Sequence, residues 1–189
     1  MIVNVTRHPD YIGDPAFIND IAILTLNTPF NSSVASPVSI LSESLVPAEN
    51  AQCVVVGWGS ENSGSTASVN QRYARKYISS QDVCRLQYNM ILGGPNILPS
   101  MLCALPFDNL SVGCVGDLGN GLVCNGGLAG ILSIGNGCQA TSYPEIYTRV
   151  NDYSRWIRSV TGGASTFQPG LAVLVIFTVV QLLTAKILS

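Results

Sequence analysis

The chain has 189 residues, 47 % of them hydrophobic, which is enough for one domain with a sizeable core. Only 11 % are charged and the formal net charge is -2, so the electrostatic footprint of a nucleic-acid binder is absent. Six cysteines, with the single histidine His8 far from them in sequence, argue against a zinc site, and no metal or cofactor is expected. The cysteines read instead as disulfides, which places the protein in an oxidising, secretory compartment.

In chain order, Met1 to Thr6 alternates apolar and polar residues as a short strand does, and Asn19 to Leu26 is an apolar run opened by two turn-forming polar residues. From Thr28 to Asn50 the composition shifts to Ser, Pro and Asn, a linker-like stretch. Gln52 to Gly59 reads as a buried strand that ends in a glycine turn, and Ser60 to Ala67 as a loop. Ser80 stands at the N-cap position of a short helix predicted over 81–86. Asp152 is expected to cap a closing helix that buries Tyr153, Trp156, Ile157 and Val160 on one face. Three acceptor sequons for N-linked glycans, at Asn4, Asn31 and Asn109, agree with a secretory route. Met1 to Asp10 lacks the apolar core of a leader. The expectation is therefore that Met1 is not the true start.

The stretch Gly113-Cys114-Val115-Gly116-Asp117-Leu118-Gly119-Asn120-Gly121-Leu122-Val123-Cys124 resembles the active-site loop of the trypsin/chymotrypsin-like serine proteases, usually Cys-Gln-Gly-Asp-Ser-Gly-Gly-Pro-Leu-Val-Cys. Further motifs resemble the same family in the same order. They are Asn19-Asp20-Ile21-Ala22-Ile23-Leu24, Cys53 with Gly57-Trp58-Gly59, Met101-Leu102-Cys103-Ala104, Gly130 to Gly135, and Pro144 to Val150. The likeness runs from Met1 to about Val160.

It implies an all-β, chymotrypsin-like double β-barrel with a C-terminal helix, the second barrel complete and the first only partial. The corresponding units are 1–50 (remnant of the first barrel and linker), 51–161 (second barrel and closing helix), 162–170 (linker) and 171–189 (apolar segment). A partial barrel exposes unpaired backbone and apolar side chains, so the first half is expected to be poorly stable by itself. The resemblance also implies the pairings Cys53–Cys124, Cys84–Cys103 and Cys114–Cys138, each contributing about 2–4 kcal/mol.

For the site, the resemblance puts Leu118 where the nucleophilic serine stands, and an isobutyl group has no lone pair with which to attack a carbonyl carbon. It puts Asp20 at the acid that orients a catalytic histidine, although a strand cap through turn hydrogen bonds is the plainer role for it. His8 lies in a His-Pro-Asp-Tyr run that resembles a surface segment of the family, so it is expected to be a solvent-facing loop residue. Gly116 holds an oxyanion-hole position, and Asp117 one whose carboxylate in relatives pairs with a new amino terminus; here it is expected to bond elsewhere or to reach water. Val112, Ile134, Gly135 and Glu145 hold pocket positions. Glu145, in place of a glycine, is expected to project into the pocket, either by drift or as a site for a basic side chain.

Leu171 to Ser189 is almost wholly apolar and would span about 30 Å as a helix, enough for a bilayer core. It reads as a membrane span or as a glycolipid-anchor signal with small residues at Gly162 to Ala164, Gly162 being the lipidation point. These observations lead to the expectation of a serine-protease homologue that is not an enzyme. It would be catalytically inactive, tethered at the outer face of a membrane, and would act by binding a protein partner of unknown identity. The alternative is a serine-type endopeptidase of which this chain is a truncated form.

Overall fold

The computed structural model describes residues 1–31, 33, 35–60, 66–108, 116–135, 143–162 and 173–174. Within them, β1 (Ile2–Arg7) and β2 (Ala22–Leu26) form an antiparallel pair, and β9 (Val173–Leu174) adds to the other edge of β2. β3 (Gln52–Gly57), β4 (Arg72–Ile78), β5 (Met101–Pro106), β6 (Gly121–Cys124), β7 (Gly127–Ile134) and β8 (Glu145–Arg149) build a closed barrel in the order β3-β4-β5-β8-β7-β6. The fold is mostly β and chymotrypsin-like, with one closed six-stranded barrel, a partial second sheet and a short C-terminal helix.

Closure has a covalent stitch. β3 meets β6 at the directly opposed pair Cys53 and Cys124, and those two residues form a disulfide with their Cα atoms 4.4 Å apart. β6 turns into β7 through Asn125-Gly126, both at positive φ (50° and 78°), the backbone that a two-residue hairpin with right-handed strand twist demands. Alternation then fills the interior: Val55, Leu102, Ala104, Leu122, Leu132 and Tyr147 are all buried in one cluster. β7 is buried along nearly its whole length, because one face lines the barrel and the other meets the β1–β2 sheet.

That second contact joins the two halves. Ile21 and Ile23 pack with Leu128, Ile131, Val150, Tyr153 and Ile157. The connecting segment is fastened to β7 by Leu41 N–H donating to Leu128 O (2.9 Å) and by Leu128 N–H donating to Ser39 O (2.8 Å). By contrast β1 leaves Ile2, Val3 and Val5 exposed.

The helices depart from the sequence expectation in detail. α1 (Gln81–Asn89) does begin after Ser80, but no side-chain cap bond forms there. Its place in the fold is fixed by the Cys84–Cys103 disulfide and a buried cluster with Tyr88, Ile97, Met101 and Ile146. Asp152 does not cap the closing helix: it lies within a 3-10 turn, Val150–Tyr153, through which the chain enters α2 (Ser154–Val160). Among the described residues no helix is long and apolar enough to cross a membrane. The apolar segment 171–189, apart from 173–174, lies outside the described residues.

Candidate functional site

The site is organised by consecutive residues near the end of β7. Ser133 Oγ–H donates to the Asp20 carboxylate at 2.7 Å, in a bond spanning 113 positions of sequence. Thr148 of β8 donates to the Asp20 carbonyl at 2.8 Å, so both ends of this residue are held by the barrel. Turn capping, the plainer role for Asp20, is thus replaced by long-range contacts. Asp20 is 6 % exposed, and burial raises its pKa above the ordinary carboxylate value while the Ser133 bond pulls it partly back.

One residue earlier, Leu132 anchors the second part. Its carbonyl accepts from Gly119 N–H (2.8 Å) and its own N–H donates to Asn120 O (2.9 Å). Gly119 sits at φ 91°, a backbone that side chains resist, and this lets the 116–120 loop double back onto β7. At the tip Leu118 is 41 % exposed, and its side chain lies in van der Waals range of the space beside Gly135, the residue that follows β7. Asp117 finds its partners in the turn after β3 and the loop before β6: its Oδ1 accepts from Gly59 N–H (3.0 Å) and from the Asn120 side-chain amide (2.9 Å). A Cβ added at Gly57 or Gly59 would run into those side chains, so the Gly-Trp-Gly turn is glycine-rich where Asp117 and Asn120 lean on it.

Glu145 is where the expectation fails most clearly. Its side chain does not project into an open pocket. It is buried on β8, 2.8 Å from the Lys76 ammonium of β4, and accepts the Tyr147 hydroxyl at 2.6 Å. Burial first, then the Glu145 charge and the hydrogen bond to it, push the Tyr147 phenol well above its usual value. An apolar barrel interior explains the arrangement: a carboxylate there is tolerable only with a cation and donors around it. Sequence reasoning missed Lys76, Ser133 and Asn120. Lys76 and Ser133 occupy inward strand positions with no motif of their own, and the partner of each lies far away along the chain.

His8 also differs from the expected solvent-facing loop residue. It packs against the rings of Tyr153 and Trp156 (centroids at 5.5 and 5.0 Å), and its Nδ1 accepts from Asp10 N–H. The buried helix face attracts it, since an imidazole presents an apolar ring as well as polar nitrogens. Ile134 is half-buried and packs beside the α1 cluster. Gly116 has φ 95°, and Gly162 lies in an exposed turn after α2. Asn4 and Asn31 are exposed. Val112, Cys114, Cys138 and Asn109 lie outside the described residues.

A family model described as Trypsin matches residues 1–157. The chain is 35 % identical to venom plasminogen activator Haly-PA of Gloydius brevicauda over 147 residues, which is 76 % of this chain and 55 % of that protein. It is 32 % identical to trypsin of Sus scrofa over 157 residues, 82 % of this chain and 64 % of the relative. Among solved structures, neuropsin, a serine protease expressed in the limbic system of mouse brain, superposes with a TM-score of 0.74 at 27 % identity, covering 85 % of this chain and 70 % of that one. The chain thus spans less than two thirds of the length of these two sequence relatives. The expectation that the chain is not an enzyme is corrected here, because what it resembles, over nearly all the described residues, is a set of trypsins and serine proteases. The disulfides and these relatives also point to an extracellular protein.

Proposed function

The chain belongs to the trypsin family, and from that premise we propose that the protein acts as a serine-type endopeptidase, this chain carrying the closed barrel and the acid side of its cleft. The observation that carries the proposal is the buried Asp20–Ser133 bond beside the Leu132–Gly119 bond. An ionisable acid and the loop resembling the family's nucleophile loop hang from neighbouring residues of one rigid strand. Catalytic groups need such positioning from a packed scaffold.

In this proposal Asp20 orients a general base, the backbone N–H groups of Gly116 and Leu118 serve as oxyanion donors, and Ile134 and Gly135 flank the substrate strand. Peptide hydrolysis by this route also requires an attacking oxygen, and the Leu118 side chain has none. The working protein must therefore present a hydroxyl at or beside that loop tip. Fluorophosphonate labelling of the full-length protein from its natural source tests this, followed by mass mapping of the peptide that contains residues 116–124. Residues 116–124 themselves hold no hydroxyl, so a phosphonylated serine flanking them in that peptide supports the proposal. Unlabelled protein that leaves peptide substrates uncut would sink it.

Leu118 favours a second reading, in which the cleft holds a segment of a partner protein and the exposed isobutyl group adds apolar contact. Tethering through 171–189, by a span or by a glycolipid at Gly162, would set this at a cell surface. Release of the protein from cells by a phosphatidylinositol-specific phospholipase distinguishes the glycolipid from the span.

A further inference from the structure

We propose that Asn31 takes an N-linked glycan in preference to Asn4. Asn31 lies in the exposed connection after β2, next to Phe30, which is 48 % exposed. Its side-chain Oδ1 accepts two hydrogen bonds from Ser33, the hydroxyl residue of the same sequon: one from the backbone N–H at 3.0 Å and one from Oγ–H at 2.8 Å. Both bonds span two residues, so the turn they close needs no tertiary contact and forms in a nascent chain as well as in the folded one.

The direction of these bonds matters for the chemistry. Donors on the carboxamide oxygen draw electron density out of the amide, which acidifies Nδ2–H and favours the imidate-like form whose nitrogen is nucleophilic. The co-reactant is an oligosaccharide joined through its anomeric carbon to a polyprenyl diphosphate. Nδ2 attacks that carbon and the new C–N bond forms as the bond from carbon to diphosphate oxygen breaks. The electron pair departs with the polyprenyl diphosphate, and the amide proton passes to a base of the transferring enzyme. Nothing is oxidised or reduced.

Asn4 has the same type of sequon and the opposite geometry. Its Nδ2–H is the donor, to Thr6 Oγ1 at 3.2 Å, so its hydroxyl partner accepts from the nitrogen instead of polarising the oxygen. Asn4 is also committed to the β1–β2 ladder, opposite Thr25. An extended, paired backbone is the wrong shape for an enzyme that must grip a bent acceptor peptide. The described residues of the 27–38 connection are all exposed.

The test is translation of the full chain behind a heterologous cleavable leader, in the presence of endoplasmic-reticulum microsomes. A control acceptor sequon is placed between the leader and Met1. Peptides are then mapped after enzymatic glycan removal, which converts each used asparagine to aspartate. The expected result is conversion at Asn31 in most chains and at Asn4 in a minority. The Asn31 glycan should be lost in N31Q and in S33A and retained in N4Q. Recovery of an unmodified Asn31 peptide from chains whose control sequon is used overturns the proposal, and so does higher occupancy at Asn4 than at Asn31.

Discussion

The Lys76 ammonium lies 2.8 Å from the Glu145 carboxylate, and the two side chains are 0 % and 1 % exposed. They come from β4 and β8, the two neighbours of β5, so the pair bridges over a strand inside the barrel. Taking both charges out of water costs several kcal/mol each, recovered only while each has the other. Lys76→Met should therefore destabilise the fold by about 3–5 kcal/mol, by stranding a buried carboxylate. The double variant K76M/E145Q should regain most of that loss, since the glutamine still accepts from Tyr147. Urea unfolding followed by fluorescence measures both. A double variant no more stable than K76M would show that the pair is not where the cost arises.

The Asp117 carboxylate is held against the Gly57-Trp58-Gly59 turn, with Gly59 N–H and the Asn120 amide on the same oxygen. Gly59→Ala places a methyl where the carboxylate lies, so either Asp117 leaves or the turn opens. A loss of about 1–3 kcal/mol is expected for such overpacking. Asn120→Ala, which removes one donor from a half-buried site, should cost about 1 kcal/mol. In both variants hydrogen exchange should accelerate in the 116–120 loop. Unchanged exchange there would show that these bonds do not hold the loop.

Asp20 makes stability depend on pH with a definite sign. Its folded pKa is raised by burial above the ordinary aspartate value of 3.8, so the folded state binds the proton more tightly than the unfolded chain does. The stability it contributes is fully present below 3.8 and is lost as pH rises through the folded pKa. Compared with Asp20→Asn, the parent protein should gain stability on acidification through that window and level off below it. Ser133→Ala removes the bond that lowers this pKa, and should widen the window toward neutral pH. Thermal melts of the three proteins between pH 3 and 8 (about five points suffice) read the difference. A parent-minus-D20N difference that is flat, or that rises with pH, would refute the assignment.

The two disulfides among the described residues should not be equal. Cys53–Cys124 closes a separation of 71 residues and Cys84–Cys103 one of 19. On the chain-entropy account the longer closure contributes about 4 kcal/mol and the shorter about 3. Paired Cys→Ala replacement of the first should therefore lower the urea midpoint more than replacement of the second. The opposite order would mean that the anchoring of α1 matters more than unfolded-state entropy.

Much of this protein is legible in its residues alone. Alternation, an apolar run and a glycine turn mark β1, β2 and β3 in place, and the spacing of Tyr153 and Ile157 gives the buried face of the closing helix. These are local signals: a strand's period of two and a helix's of 3.6 are written into nearest neighbours. The motif likeness, read in order along the chain, carries the family as well. Sequence reading went wrong where a side chain's fate depends on a partner far along the chain. Glu145 read as a pocket residue because Lys76, 69 positions earlier by number, shows no sign of being its cation. Asp20 read as a strand cap because Ser133 is one serine among many, and His8 read as solvent-facing because Trp156 is near it only after folding. Local patterning thus marked β1, β2 and β3, the cysteine number pointed to disulfides, and the motif likeness implied the β-barrel around them. Which charge meets which, and which residues gather at the end of β7, was decided only when barrel closure brought distant strands to contact distance in a medium where an ion must have a partner.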